Sequence, residues 1–268
     1  MHGAAATTPR ALDREDQTLT DDFDLPAYRR LLELALEQRF ELLAFHDDRR
    51  FSAERALLLR HDVDTDLHAA LQLARIEAEL GVRSTFFLML RSPLYNLFAR
   101  ANHDMVREIV ALGHDLGVHY DEGFSPGEQR TLEEWVLLEA DTISRVFGVP
   151  VRAVSFHQPS RRVLDEDIAI PGMVNTYNAR DLEGIFYLSD SNKAWRGKSP
   201  SELFASGEHP RIHLLIHPMW WAGTREEPAA RGWDRVILAN WERSQAQLLA
   251  TERAFGPRRR LILEPEGS

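Results

Sequence analysis

Residues 57–66 read LLLRHDVDTD, and this stretch decides the fold class. Three leucines in succession are typical of a strand that is buried on both faces, as in a parallel sheet. Asp62 and Asp64 follow at the end of this strand, and because side chains alternate along a strand they point to the same side. Two carboxylates on one face of a buried strand are costly unless a cation or a proton lies between them. The carboxyl ends of such strands carry the chemistry of α/β folds, although a solvated loop in which Asp66 caps the next helix fits the same residues.

The composition excludes several classes of function. The chain has 268 residues, 44% of them hydrophobic, which is enough for one large domain. Its formal net charge is −10, which argues against a nucleic-acid backbone as the main partner. The chain has no cysteine, so disulfides, thiolate catalysis and metal sites with cysteine sulfur are excluded. No apolar run reaches the roughly 18 residues of a membrane span, and the N-terminus lacks the apolar core of an export signal.

These features predict the domain organisation and the location of the protein. We expect a mobile N-terminal segment over residues 1–25 and a single domain over residues 26–268. We expect the protein to be cytoplasmic, with neither a membrane nor a nucleic acid as partner. The sequence leaves the oligomeric state open.

Apolar segments of strand length alternate with segments of helical periodicity along the chain. The predicted strands after residues 57–66 are 84–90, 115–119, 151–156, 185–188 and 211–216, with possible short ones at 40–45 and 261–263. The predicted helices are 26–39, 66–80, 102–112, 131–147, 199–206 and 233–255. Such alternation implies parallel pairing, and about six units favour a closed or nearly closed barrel over an open doubly wound sheet. The glycine-rich phosphate loops of nucleotide-binding folds do not occur.

Acidic and histidine side chains follow most of the predicted strands. They are Asp62, Asp64, His119, His157, Asp190 and His217. In a barrel these strand ends share one rim, and carboxylates with imidazoles suit zinc or another divalent ion. A catalytic site of this kind has three protein ligands and an open position for water. A remaining carboxylate can accept the proton of that water and a remaining histidine can protonate a leaving group, so the pattern predicts hydrolysis without a serine or cysteine nucleophile.

Other residues of these types have structural interpretations. His61 is expected on the opposite face of its strand from the two carboxylates, and His213 is expected in the core. Trp220 and Trp221 fit either packing at the mouth of the barrel or an aromatic wall for a sugar ring.

The motifs around these residues resemble those of the polysaccharide deacetylase superfamily (NodB homology, carbohydrate esterase family 4). The resemblance runs from about residue 57 to residue 217. RHDVD (60–64) is similar to the first motif of the family, GHDLGVHYD (113–121) to the second, YLSDSNKAW (187–195) to the fourth and LLIHP (214–218) to the fifth. It implies a distorted (β/α) barrel of about seven parallel strands, here with an N-terminal helical extension. It also implies that the protein removes acetyl groups from amino sugars or hydrolyses related amides.

Carried over motif by motif, the resemblance makes Asp62 the general base and His217 the catalytic acid. Asp64 and His119 become ligands of one divalent ion, for which zinc is the expected metal. The predicted substrate contacts are Arg60, Asp190, Trp195 and Trp220. Arg60 could also hold Asp62 in its ionised form.

The chain departs from the family pattern at the second metal histidine. The family has two histidines four residues apart, and Gly123 occupies the second position. His157, in SFHQPS (155–160), stands where the third motif is expected and is the predicted third ligand. Asp121 is the weaker candidate because it would add a further negative charge near one ion. The Arg-x-Pro-Tyr of the third motif is also absent, although Pro159 remains.

These departures favour a divergent branch that acts on a small acetylated amino sugar or another N-acyl metabolite. The predicted function is therefore removal of an N-acetyl group by a metal-dependent amide hydrolase. Two alternatives are a cyclic-amide hydrolase similar to allantoinase and a non-catalytic carbohydrate-binding barrel that lost its metal with the second histidine.

Overall fold

A computed structural model describes residues 22–124, 130–253 and 255. The strands are β1 (Glu41–Leu42), β2 (Ala56–Val63), β3 (Thr85–Leu88), β4 (Asp115–Asp121), β5 (Ala153–His157), β6 (Val174–Asn175), β7 (Phe186–Ser189) and β8 (Arg211–Ile216). The helices are α1 (Leu25–Glu37), α2 (Leu67–Glu79), α3 (Arg100–Ala111), α4 (Leu132–Phe147), α5 (Arg161–Asp165), α6 (Pro200–Ser206), α7 (Pro218–Trp221) and α8 (Ala229–Thr251), with a 3₁₀ helix at Asp48–Phe51. No helix within the described ranges is long and apolar enough to cross a membrane.

The strands form one parallel sheet around β2. Seven of them follow one another in the order β6-β5-β4-β3-β2-β8-β7, and β1 pairs with the start of β2. Within the described ranges no pairing joins β6 to β7, so the barrel is open along one seam. The expected distorted (β/α) barrel of about seven parallel strands is therefore confirmed. The alternative fold, an open doubly wound sheet, is not observed.

Every residue of β2 is buried, as the run of leucines predicts. Leu57 and Leu59 face the outer core against the helices, whereas Leu58 packs inside the barrel with Phe45 and Phe87. The alternation that places Leu58 inside also turns Asp62 inward and His61 outward. Strand β2, at the centre of the sheet, therefore places the carboxylate of Asp62 at the rim of the barrel.

The helices begin and end where their capping residues indicate. Thr131 and Glu134 form the predicted capping box of α4, and Gly148 ends this helix in the left-handed conformation with φ 72°. Asp24 caps α1, and Phe23 is buried against the rings of Trp195 and Trp221. These are described residues of the predicted N-terminal segment, and they lie against the barrel.

Two of the shortest elements were not predicted. Strand β6 has two residues and α7 has four, which is too short for any period to show in the sequence. Helix α8 begins four residues before its predicted start, with Pro228 as its N-cap. The predicted strand over 261–263 lies outside the described residues.

Candidate active site

Three ligand-type side chains converge at the carboxyl end of the sheet. Asp64 follows β2, His119 lies in β4 and His157 ends β5. One possible ligand atom from each lies within 4.8 Å of the other two. His119 Nε2 is 2.8 Å and His157 Nδ1 is 3.3 Å from the same oxygen, Asp64 Oδ1. Asp121, the alternative third ligand, instead accepts a hydrogen bond from the Gly123 backbone N–H at 2.9 Å.

The hydrogen bonds around His119 fit a cation between these atoms. Ser155 Oγ donates to Asp62 Oδ1 at 3.2 Å, so the 2.7 Å bond between Ser155 Oγ and His119 Nδ1 has the ring N–H as its donor. In the neutral ring this leaves a lone pair, not a proton, on Nε2. Asp64 Oδ1 accordingly has no hydrogen-bond partner among the described residues, although it is buried. A lone pair and a carboxylate oxygen 2.8 Å apart repel unless a cation or a proton lies between them, and one carboxylate with two imidazoles is a donor set that zinc accepts.

Asp62 lies beside this cluster and is held by Arg60. Arg60 Nε donates to Asp62 Oδ1 at 2.7 Å and Nη2 donates to Oδ2 at 2.5 Å. The remaining guanidinium contacts go to Thr176 Oγ1 and Tyr177 OH, both at 3.0 Å. Burial raises the pKa of Asp62, but the charge and hydrogen bonds of Arg60, together with the neighbouring histidines, outweigh burial and the pKa lies below its usual value. Arg60 is fully buried, so it orients Asp62 and keeps it ionised, and the predicted contact with substrate is not available to it.

His217 lies at the end of β8 and faces the cluster from the other side. Its Nδ1 is 2.5 Å from Asp190 Oδ1, and its Nε2 is 3.9 Å from Asp64 Oδ2. Asp190 also accepts from the His217 backbone N–H and from Trp221 Nε1 at 2.9 Å. Burial lowers the pKa of His217, but the carboxylate of Asp190, with smaller contributions from Asp64 and Asp62, raises it to about 9. Asp190 is fully buried and therefore orients His217 instead of contacting substrate.

The predicted aromatic contacts differ in their exposure. Trp195 is half-buried and stacks on Phe23, with ring centroids 5.5 Å apart. Trp220 is 4% exposed and packs against Trp233 of α8, so it has no free face for a sugar ring. Packing is thus the correct interpretation of Trp220, whereas Trp221 supports the site through its bond to Asp190.

Sequence reasoning missed the residues that orient the reacting groups. Ser155 could have been found, because it precedes His157 by two positions and therefore shares its side of β5. Thr176 and Tyr177 follow a two-residue strand that carries no recognisable pattern. Their contacts with Arg60 depend on how the chain closes the seam, which the sequence does not reveal.

Comparisons with known proteins find no match among family models and no match among curated proteins. Solved structures are similar at low identity. A family 4 carbohydrate esterase from Bacillus anthracis is 16% identical with a TM-score of 0.41, over 80% of this chain and 86% of that one. Peptidoglycan deacetylase PdaC from Bacillus subtilis is 11% identical with a TM-score of 0.40, over 74% and 97%. A family 4 pseudoenzyme from Bacillus anthracis is 13% identical with a TM-score of 0.39, over 71% and 62%.

Proposed function

We propose that the protein is a divalent-metal-dependent amide hydrolase that removes an N-acetyl group from an amino sugar or a small N-acylated metabolite. The observation that carries this proposal is the convergence of Asp64, His119 and His157 on one point, between Asp62 and His217. The motifs that resemble the polysaccharide deacetylases contain four of these five residues and supply the type of bond.

Asp64, His119 and His157 would hold the ion, and zinc fits this donor set. A divalent ion bound there would polarise the acyl carbonyl and lower the pKa of the attacking water. Ser155 holds the ring of His119 so that Nε2 faces Asp64. With three protein ligands, an ion held there would keep open coordination for the oxygens of the water and the substrate.

The proton transfers fall to the two groups that flank the ligands. Asp62 is ionised beside Arg60 and accepts the proton of the attacking water. His217 is protonated, and its Nε2 gives a proton to the departing nitrogen as the carbon–nitrogen bond breaks. Asp190 stays a carboxylate and holds the ring through Nδ1. The products are acetate and the free amine.

Acetate release from chelator-treated protein tests this proposal. The panel contains N-acetylglucosamine, its short oligomers, other N-acetylated metabolites and a cyclic ureide. We expect no release without added metal, and release from an N-acetyl compound after zinc or cobalt is restored. Turnover of the cyclic ureide alone would support the allantoinase-like alternative. Failure to bind either metal and to release acetate would contradict the proposal and support a carbohydrate-binding barrel.

A further inference from the structure

A cavity lies along the seam where the barrel is open. Its volume is about 520 Å³, within the range of sites for small ligands. The segment that leads from β6 to β7 forms much of its wall, including Tyr177 and Leu182. No strand pairing joins β6 to β7 within the described ranges, so the backbone hydrogen bonds of the sheet do not close the barrel here.

His213 of β8 forms the buried wall of this cavity. Its side chain is 1% exposed, and neither ring nitrogen has a hydrogen-bond partner among the residues that the structure describes. The rings of Phe45 and Tyr187 meet it edge to face at 5.1 and 5.0 Å. Burial first and the charge of Arg60 second hold its pKa well below the usual value, so the ring is neutral. A neutral imidazole offers one donor and one acceptor, and a buried polar group without a partner is rare in folded proteins.

The other walls define the chemistry of a ligand. Leu164, Leu182 and Ile185 are aliphatic, and Tyr177 and Tyr187 add two aromatic faces. The polar lining residues besides His213 are Thr176 and Asn178, which already bond Arg60 and the carbonyl of Ile168, and Glu183, which is exposed to solvent. Among the described lining residues there is no lysine or arginine to bind an anion. A hydroxyl group can both donate and accept a hydrogen bond. It can therefore pair with a ring nitrogen of His213 whether the tautomer makes that nitrogen a donor or an acceptor.

We propose that this cavity binds an uncharged, largely apolar small molecule that carries one hydroxyl group, which pairs with the ring of His213. The cavity is distinct from the metal cluster, since it shares none of the three ligand residues. It lies one layer of side chains from the base, because its lining residues Thr176 and Tyr177 both bond the guanidinium of Arg60.

Calorimetric titration of the full chain with 4-methylphenol tests the proposal. Toluene is the matched probe without the hydroxyl, and 4-methylbenzoate is the charged one. We expect 4-methylphenol to bind about tenfold or more tightly than either. Toluene leaves the ring of His213 without a hydrogen-bond partner, and 4-methylbenzoate brings an unneutralised charge into an apolar site. Equal affinity for 4-methylphenol and toluene would overturn the proposal.

Two variants locate the binding. His213→Phe keeps an aromatic ring but removes both nitrogens, so 4-methylphenol should lose about tenfold in affinity while toluene does not. His46→Phe is the matched control, because His46 is exposed and is not a lining residue, and it should change nothing. Leu164→Trp narrows the cavity from an exposed position and should weaken both probes, which keeps the test decisive if His213→Phe fails to fold. Unchanged binding of 4-methylphenol in Leu164→Trp, or a crystal structure with the probe outside the cavity, would refute the site.

Discussion

Arg60 and Asp62 form an ion pair within one strand, and this pair is the link between the fold and the proposed chemistry. Residues two apart on β2 share a face, so the pair follows from the sequence once the strand is assigned. Both side chains are buried, and two charges out of water are tolerated only with close, bidentate geometry such as the one observed. The pair therefore stabilises the charged form of Asp62 at the cost of desolvating Arg60.

Asp62→Asn keeps the shape of the side chain but cannot accept a proton. We expect kcat to fall by about 10²–10⁴-fold, the range for loss of a general base, while zinc binding stays intact. Acetate release and zinc titration on the same preparation measure both quantities. Asp121→Asn removes the same charge from the same rim and should retain activity. A fall in kcat of less than about threefold in Asp62→Asn would show that another group is the base.

Arg60→Met removes the partner of a buried carboxylate and keeps most of the volume. We expect the free energy of unfolding to fall by about 3–5 kcal/mol, because the charge of Asp62 is left without compensation. Urea unfolding measures this change. The double variant Arg60→Met, Asp62→Asn should recover part of the lost free energy of unfolding. If the double variant were no more stable than Arg60→Met, an unpaired charge on Asp62 would not explain the destabilisation.

At the residue scale, the sequence predicted which groups meet but not how they are held. Asp62, Asp64, His119, His157 and His217 are ligand types at strand ends, and parallel strands in a barrel bring such ends together. The roles of Arg60, Asp190 and Trp220 depend on burial and side-chain direction, which follow from helices packed around the sheet. No pattern along the chain encodes that packing.

Among the elements, β4 approaches β3 closely through a glycine. A Cβ built on Gly117 would lie 2.4 Å from Cδ1 of the buried ring of Phe87. Phe87 packs inside the barrel beside Asp62, with which it pairs in the register of β2 and β3. A glycine at this position therefore lets β4 place His119, two residues later on the same face, near Asp64.

Gly117→Ala should destabilise the protein by about 1–3 kcal/mol, the cost of overpacking a filled core. Displacement of β4 should also weaken zinc binding through His119. Gly123→Ala is the control, because Gly123 is exposed and a new Cβ there meets only the flexible side chain of Asp121. Urea unfolding and zinc titration of both variants test this, and equal stability of Gly117→Ala and the wild type would be incompatible with the close approach.

Helix α2 presents a buried carboxylate to the outer face of β2. Glu77 Oε1 accepts from Tyr28 OH at 2.6 Å and lies 2.7 Å from His61 Nε2, while Oε2 is 3.4 Å from His114 Nδ1. Burial raises the pKa of Glu77, but the charge of His61 and the hydrogen bonds outweigh it and the pKa lies below 4.5. This cluster fixes α2 on the sheet on the side of β2 opposite to Asp62.

Glu77→Gln should lower the free energy of unfolding at pH 7 by about 1–3 kcal/mol, because a charged acceptor is replaced by a neutral amide. The folded-state pKa is depressed, so the contribution of Glu77 is present above its unfolded pKa near 4.5 and is lost as pH falls through the folded value. The part of the stability difference that comes from Glu77 should therefore shrink as pH falls below about 4.5. A difference that grew in acid would contradict this sign.

At the element scale, the sequence placed the long helices and the buried strands within a few residues. Capping residues marked where helices begin and glycines marked where they end, as Thr131 and Gly148 do for α4. Strand β6 was missed because two residues show no alternation. The seam between β6 and β7 was missed for the same reason, and with it the cavity lined by His213.

At the scale of the whole molecule, an open parallel barrel brings the strand ends to one rim, with the two groups proposed for proton transfer and three ligand-type groups. β2, β4, β5 and β8 each deliver part of the set, so no single segment carries the function. In the proposed ligand set His157 takes the place of a histidine at position 123, and β4 pairs with β5 in a register that sets Asp121 beside His157. The side chain of Asp121 bends away to Gly123, whereas that of His157 faces Asp64.

Zinc titration of the wild type, His157→Ala and Asp121→Asn tests the central claim most directly. We predict that the wild type binds one zinc ion. His157→Ala should lose tenfold or more in zinc affinity, since even the loss of a residue that only supports a ligand costs about 10–100-fold. Asp121→Asn should change the zinc affinity by less than about threefold. Circular dichroism of each variant shows whether it is folded. Zinc affinity that is unchanged in His157→Ala but collapses in Asp121→Asn would contradict the proposed ligand set.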